Sequence, residues 1–317
     1  MVIVQADHCR PPPLSARVSA GRATEPRRVA QNGGVVVIRH PFLDGPFPRA
    51  FAHRGWHLGE LTGMENSLAA FRRATDEGYR YLETDVHATR DGVVVVLHDA
   101  TLDRTTDSSG QVEKLGWAAV RTARVGGSEP VCRLADLLEE LPAALLNIDV
   151  KADSAVGPVL ELLRRTSQWH RVCLTAFSDA RLRRLRAAAG PELLTSLGPA
   201  SAVALRLRSM SPLRRGVRSP LRRGAGSPLR RGARKFGAAP GRGELAQLPV
   251  RIWGVPMMDR ALLRHAHLRG LEVHVWTVNQ AAEMHTLLDL GADGLMTDRP
   301  DVLREVLRAR RAWPEIQ

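Results

Sequence analysis

Residues 145–176, LLNIDVKADSAVGPVLELLRRTSQWHRVCLTA, decide how the chain folds. The first run, 145–151, reads as a strand, 155–167 as a helix, and 171–176 as a second strand. Two strands joined through a helix imply parallel neighbours in one sheet.

The same alternation extends in both directions. Strands are expected at 50–54, 80–86, 93–98, 145–151, 171–176, 193–196, 248–253 and 271–276, with a further apolar run at 294–297. Helices are expected at 67–77, 134–141, 155–167, 179–189, 200–208, 259–269, 280–290 and 300–310. Eight or nine such units over about 260 residues fit an α/β fold of the (β/α)8 TIM-barrel type. A doubly wound open sheet fits less well, because no Gly-rich phosphate loop follows the first strand. The strand list is one longer than a barrel needs, and 193–196 and 248–253 are the least clearly patterned.

Two segments stand outside this rhythm. Residues 1–49 are rich in Pro, Gly and Arg, including Pro11-Pro12-Pro13, and read as a disordered tail. The hexapeptide Ser211-Pro212-Leu213-Arg214-Arg215-Gly216 recurs at 219–224 and 227–232. Its Pro and Gly break any helix, so 209–240 reads as a low-complexity insertion in a domain spanning 50–310. The insertion is either solvated and inert or an arm making weak contact with anionic membranes or nucleic acid.

The net charge of +13 comes from these appendages. Ten arginines and one lysine, without an acid, give residues 206–235 a charge of +11, and residues 1–49 contribute +4. The remainder carries −2, so the basic balance says nothing about the core. The hydrophobic fraction of 44% is enough for a sizeable core. Three cysteines, Cys9, Cys132 and Cys173, show no pairing pattern and read as reduced thiols of a cytoplasmic protein. No apolar run is long enough for a membrane span, and the N-terminus lacks a signal-peptide pattern.

The chemistry lies at strand ends. In Tyr81–His87, alternation puts Glu83, Asp85 and His87 on one face. In Asn147–Lys151 it puts Asn147, Asp149 and Lys151 on one face. Buried acids need compensation, either from a salt-bridge network through Lys151 or from a divalent cation. Oxygen ligands favour Mg²⁺ or Ca²⁺ over Zn²⁺. His53 and His98 each end a strand, and at a barrel rim they would supply an acid and a base for phosphodiester cleavage. Arg54 and Lys151 are candidates to hold phosphate oxygens. For Glu65-Asn66-Ser67, either Asn66 or Ser67 caps the following helix, or Glu65 meets metal or substrate. Trp276 is either a core aromatic or a platform over the substrate. Asp298, before Arg299-Pro300, reads as a structural N-cap.

Taken in order, the motifs H-R-G at 53–55, E-N-S at 65–67, E-T-D-V at 83–86, V-V-x-H-D at 95–99 and T-L-D-R-T-T at 101–106 resemble the glycerophosphodiester phosphodiesterase family. N-I-D-V-K at 147–151, V-W-T-V-N at 275–279 and D-G-L-M-T-D-R-P at 293–300 are similar too, so the resemblance covers about 50–307. It implies a TIM-type barrel with a small insertion, at about 100–130, after its third strand. It implies hydrolysis of glycerophosphodiesters, the deacylated phospholipids, to an alcohol and sn-glycerol 3-phosphate. It also implies Glu83, Asp85 and Asp149 as metal ligands with Glu65 close by, His53 and His98 as the acid–base pair, and Arg54 and Lys151 as the phosphate clamp. Three positions depart from the pattern. Asp149 stands where Glu is usual, Met64 stands where Pro is usual, and the arginine repeat has no counterpart. Lysophospholipase D-type cleavage on the same barrel is the alternative, and a non-catalytic anion-binding protein would require broken catalytic positions.

Overall fold

The computed structural model describes residues 28–29, 37–38, 40–210, 245–252 and 254–314. Eight parallel strands run β1 (Arg49–His53), β2 (Tyr81–Ala88), β3 (Leu145–Val150), β4 (Val172–Thr175), β5 (Leu194–Thr195), β6 (Leu245–Pro249), β7 (Glu272–Trp276) and β8 (Gly294–Thr297). β8 pairs with β1, and a parallel bridge between Ser196 and Leu245 joins β5 to β6, so the sheet closes on itself. Helices α1 (Leu68–Asp76), α2 (Leu134–Glu140), α3 (Val156–Thr166), α4 (Asp179–Ala189), α5 (Pro199–Met210), α6 (Arg260–His267), α7 (Ala281–Leu290) and α8 (Pro300–Ala309) accompany the strands. The expected (β/α)8 barrel is the fold observed.

The surplus strand was 93–98. Val94–Val96 folds back antiparallel on β2, pairing Val86 with Val96 and Ala88 with Val94, and takes no place in the barrel wall. The link from Ala88 to Val94 is far too short for a parallel crossover, which needs roughly a dozen residues. Gly92, at φ +83°, makes the turn. The insertion therefore follows the second barrel strand rather than a third, and Val95, Leu97, Leu102, Val112, Val120 and Val125 give it a small core of its own. The strand expected at 248–253 begins three residues earlier as β6, while Arg251–Ile252 pairs antiparallel with Val255–Pro256.

Alternation sorts the side chains. Leu82, Val86, Leu146, Ile148, Leu174, Ala246 and Val275 point outward into the layer under the helices. Phe51, Tyr81, Leu145, Cys173, Leu194, Leu245 and Met296 fill the bottom of the barrel, with Phe42 and Leu43 from below. Those last two residues belong to the stretch expected to be tail. A short 3₁₀ turn, Pro41–Asp44, plugs the barrel base and Tyr81 donates its hydroxyl proton to the Phe42 carbonyl (2.7 Å). Buried Arg49 reaches the carbonyls of Gly45 and Leu43 and pairs with Glu272 at 3.0 Å. Gly45 is required there, because a Cβ would lie 2.5 Å from the Tyr81 hydroxyl. Chain order thus begins before residue 49. The repeats at 211–232 lie outside the described residues.

Candidate active site

The apolar layer at the base leaves the upper ends of β1, β2 and β3 to carry the chemistry. Parallel pairing sets His53 beside Glu83, Glu83 beside Asn147, and Asp85 beside Asp149. His53, Arg54, Glu83, Asp85, His98, Asp149, Lys151 and Trp276 all line one cavity of about 730 Å³ at this end of the barrel. Active sites of this fold lie at the C-terminal ends of the strands.

Both histidines are oriented the same way. His53 Nδ1 lies 2.5 Å from Asp298 Oδ1, and His98 Nδ1 lies 2.6 Å from Asp99 Oδ1. A carboxylate beside Nδ1 accepts a hydrogen bond from it, which keeps the proton on Nδ1 and leaves Nε2 for the reaction. For His53, burial works against the charged form, but Glu83 and Asp298 outweigh it and raise its pKa. The partner Asp298 is held down at about 2 despite its own burial. Asp298 is therefore no helix cap. The α8 N-cap is Arg299, and Asp298 is clamped for His53 by Asn279, whose amide donates to Oδ2 (3.1 Å) and whose carbonyl accepts from the Asp298 N–H (2.9 Å). The Asp-Arg-Pro sequence suggested a cap, while the partner lies some 245 residues away along the chain. His87, placed by alternation on the Glu83 face, sits beyond the barrel rim and donates from Nε2 to the His98 carbonyl (3.2 Å).

The turn after β1 presents Arg54. Arg54 and Asn66 both adopt left-handed backbone, with φ of +58° and +62°. Such strain in non-glycine residues is characteristic of functional turns. Gly55 permits it, since a Cβ there would meet the Ala70 backbone at 2.8 Å. Ser67 is the α1 cap, accepting from the Ala70 N–H. Asn66 instead donates to Asp85 (3.0 Å) and accepts from Thr84 (2.9 Å). Glu65 is gripped by Arg54 (2.9 Å) and by Arg104 (2.8 Å), and Arg104 also holds Asp99. Glu65 thus braces two arginines, and Arg104 ties the His98 pair to the Arg54 turn.

The acids divide by partner. Lys151 sits 2.8 Å from Asp85 Oδ1 and 2.7 Å from Asp149 Oδ2, and Arg54 Nε lies 3.1 Å from Asp85 Oδ2. Burial pushes the Asp85 carboxyl up, but Lys151 and Arg54 carry it below its ordinary range. Glu83 faces a histidine instead, with His53 Nε2 3.6 Å from its Oε2. Burial first, and repulsion from Asp85 second, push it up to about 8. Burial also raises Asp149, against the pull of Lys151. Glu83 Oε2 and Asp149 Oδ1 are buried without a hydrogen-bond partner. Unmatched carboxylate oxygens in one apolar-walled cavity are the donor type a hard divalent cation takes. Among the described residues, no group of three or more His, Cys, Asp or Glu side chains is placed to hold a metal ion. The expected ligand trio is therefore not equivalent: Glu83 and Asp149 each offer a buried oxygen without a hydrogen bond, the Glu83 one facing His53 Nε2 at 3.6 Å, and both Asp85 oxygens are engaged.

The cavity's other wall is apolar. Trp276 meets Phe177 edge-on at 5.4 Å, and the Lys151 ammonium lies 5.5 Å from the Phe177 ring centre. Trp276 is thus a wall of the cavity mouth. Gln247, unsuspected from sequence, donates to Asn147 (2.8 Å) on the cavity floor.

A probable glycerophosphodiester phosphodiesterase of Mycobacterium tuberculosis is 39% identical over 270 residues, covering 83% of this chain and 92% of its own. A lysophospholipase D of Rattus norvegicus is 28% identical, covering 82% and 86%. The solved structure of an Oleispira antarctica phosphodiesterase in complex with the product sn-glycerol 3-phosphate shares the fold at a TM-score of 0.59 and 19% identity, covering 83% and 97%. The family model for glycerophosphoryl diester phosphodiesterases matches residues 53–302, from the first cavity histidine into the last helix, and the chain belongs to that family.

Proposed function

We propose that the protein hydrolyses glycerophosphodiesters to an alcohol and sn-glycerol 3-phosphate, using a divalent cation, Mg²⁺ or Ca²⁺. The observation that carries this is the pair of carboxylate-locked histidines opening on one cavity with two buried carboxylate oxygens that lack a hydrogen bond. Glu83 and Asp149 would hold the cation, with Asp85 alongside. When bound it supplies positive charge against the phosphate oxygens as negative charge builds there. Arg54 and Lys151 orient the phosphate, and their own ion pairs with Asp85 keep both extended toward it. One histidine Nε2 takes the proton from the attacking water as its oxygen bonds to phosphorus, or from the neighbouring glycerol hydroxyl in a first step whose cyclic phosphate water then opens. The other gives a proton to the alkoxide as the P–O bond breaks. Each role is worth on the order of 10²–10⁴ in rate. Asp298 and Asp99 fix the tautomers.

A panel of glycerophosphodiesters, assayed with EDTA and then with Mg²⁺ or Ca²⁺ added back, tests this. Undiminished turnover in EDTA removes the cation, and no turnover on any diester removes the reading. A second reading, cleavage of lysophospholipids with release of the headgroup, draws on the apolar mouth formed by Phe177, Leu197, Ala202, Val203 and Ile252. Faster turnover of lysophosphatidylcholine than of glycerophosphocholine would favour it. A cytoplasmic location is part of the proposal, supported by the unpaired, buried thiols of Cys132 and Cys173. Among the described residues, no helix is long and apolar enough to cross a membrane.

A further inference from the structure

The apolar wall of the cavity continues beyond it. Val203 lines the cavity and also begins an outward row on α5. Val203, Leu207 and Met210 are 48%, 63% and 63% exposed, whereas Leu205 is the buried residue of this helix. Positions i, i+4 and i+7 share one helical face, so these side chains form a stripe. Phe177, also at the cavity rim, is 62% exposed. Single exposed apolar residues are ordinary, but a stripe running from the rim of a cavity marks an interaction surface.

Positive charge goes with the stripe. α5 contains Arg206 and Arg208 and no acid. Arg206 is held by Asp259, while Arg208 is exposed. The sequence continuing from Met210 contributes eight arginines and one lysine over 211–235, again without an acid. An anionic lipid surface takes both features at once, the apolar row at its acyl boundary and the cations at its headgroups. Nucleic acid would pair with the cations and leave the row in water.

We propose that the exposed face of α5, with Phe177 beside it, docks the protein on an anionic phospholipid bilayer. Docking does not depend on the reaction assigned to the site. The test is co-sedimentation of the full chain with phosphatidylcholine vesicles, with and without phosphatidylglycerol. The wild type is expected to pellet with the anionic vesicles and to be released by salt. The double variant Leu207→Gln, Met210→Gln, which leaves the charge unchanged and whose side chains lie outside the cavity, is expected to lose about tenfold or more in binding. Thermal unfolding and turnover of glycerophosphocholine should match the wild type. Equal vesicle binding by the variant would show that the cations alone act and would overturn the proposal. So would a wild type that binds an RNA oligonucleotide but no vesicle, or a wild type that dimerises through the stripe and ignores vesicles. If neither protein hydrolyses any diester yet the vesicle results hold, the assigned reaction fails and the docking surface stands.

Discussion

Replacing Asp298 by Asn tests whether the His53 pair is a working part of the site. The carboxylate has two acceptor oxygens and both are in use, Oδ1 by His53 and Oδ2 by the Asn279 amide. An amide has one acceptor, so its NH₂ must face one of these partners. Facing Asn279 sets donor against donor. Facing His53 favours the tautomer with the proton on Nε2, which cannot then accept one. The depression of the Asp298 carboxyl from 3.8 to about 2 is worth roughly 2.4 kcal/mol in all. Its side chain is 37% exposed and shared with Asn279, so solvent screening leaves about 1 kcal/mol, or roughly fivefold, for the charge on His53. The wrong tautomer adds most of what general acid–base catalysis contributes. We expect kcat to fall about 10²–10³-fold, with KM within about threefold, in steady-state hydrolysis of glycerophosphocholine. Adding Asn279→Asp restores an acceptor for the amide and should recover about tenfold of the loss. Unchanged kcat for Asp298→Asn, or a change confined to KM, would refute the reasoning.

Three further predictions concern other parts of the site and the core. Glu83→Gln removes a buried acid that repels Asp85, and should abolish turnover while raising Tm in EDTA by roughly 2–4 °C. Because the Glu83 carboxyl rises on folding from 4.5 to about 8, the wild type binds the extra proton when folded and loses stability as pH rises across that window. The Tm advantage of the variant should therefore widen from acid to pH 8, and a constant gap would contradict it. Arg104→Ala breaks the contacts to Glu65 and Asp99 together, so kcat/KM should drop about tenfold with Lys recovering part of it; wild-type kinetics would show the bridge to be ornamental. Burial pushes the Cys132 thiol up to about 12, so peptide mapping after maleimide treatment at pH 8 should find it unlabelled until the protein is unfolded.

The sequence by itself determined the barrel and which polar side chains share a strand face. Strand alternation put Glu83 with Asp85 and Asp149 with Lys151, because a period of two needs only neighbours along one strand. Helix-separated apolar runs determined the parallel sheet for the same local reason. The Val93–Val96 run was misjudged because strand patterning says nothing of direction, and the short link at 89–93 was the clue that made it antiparallel. Tertiary structure alone decided the rest. Asp298 meets His53, Asn279 holds Asp298, and Arg104 joins Glu65 to Asp99 only after the ends of a closed barrel come together. The same closure decided which acids are satisfied. Lys151 neutralises Asp85 and Asp149 across paired strands, while Glu83 Oε2 is left buried without a hydrogen-bond partner. No local pattern records that division, since a buried charge is set by what surrounds it in space.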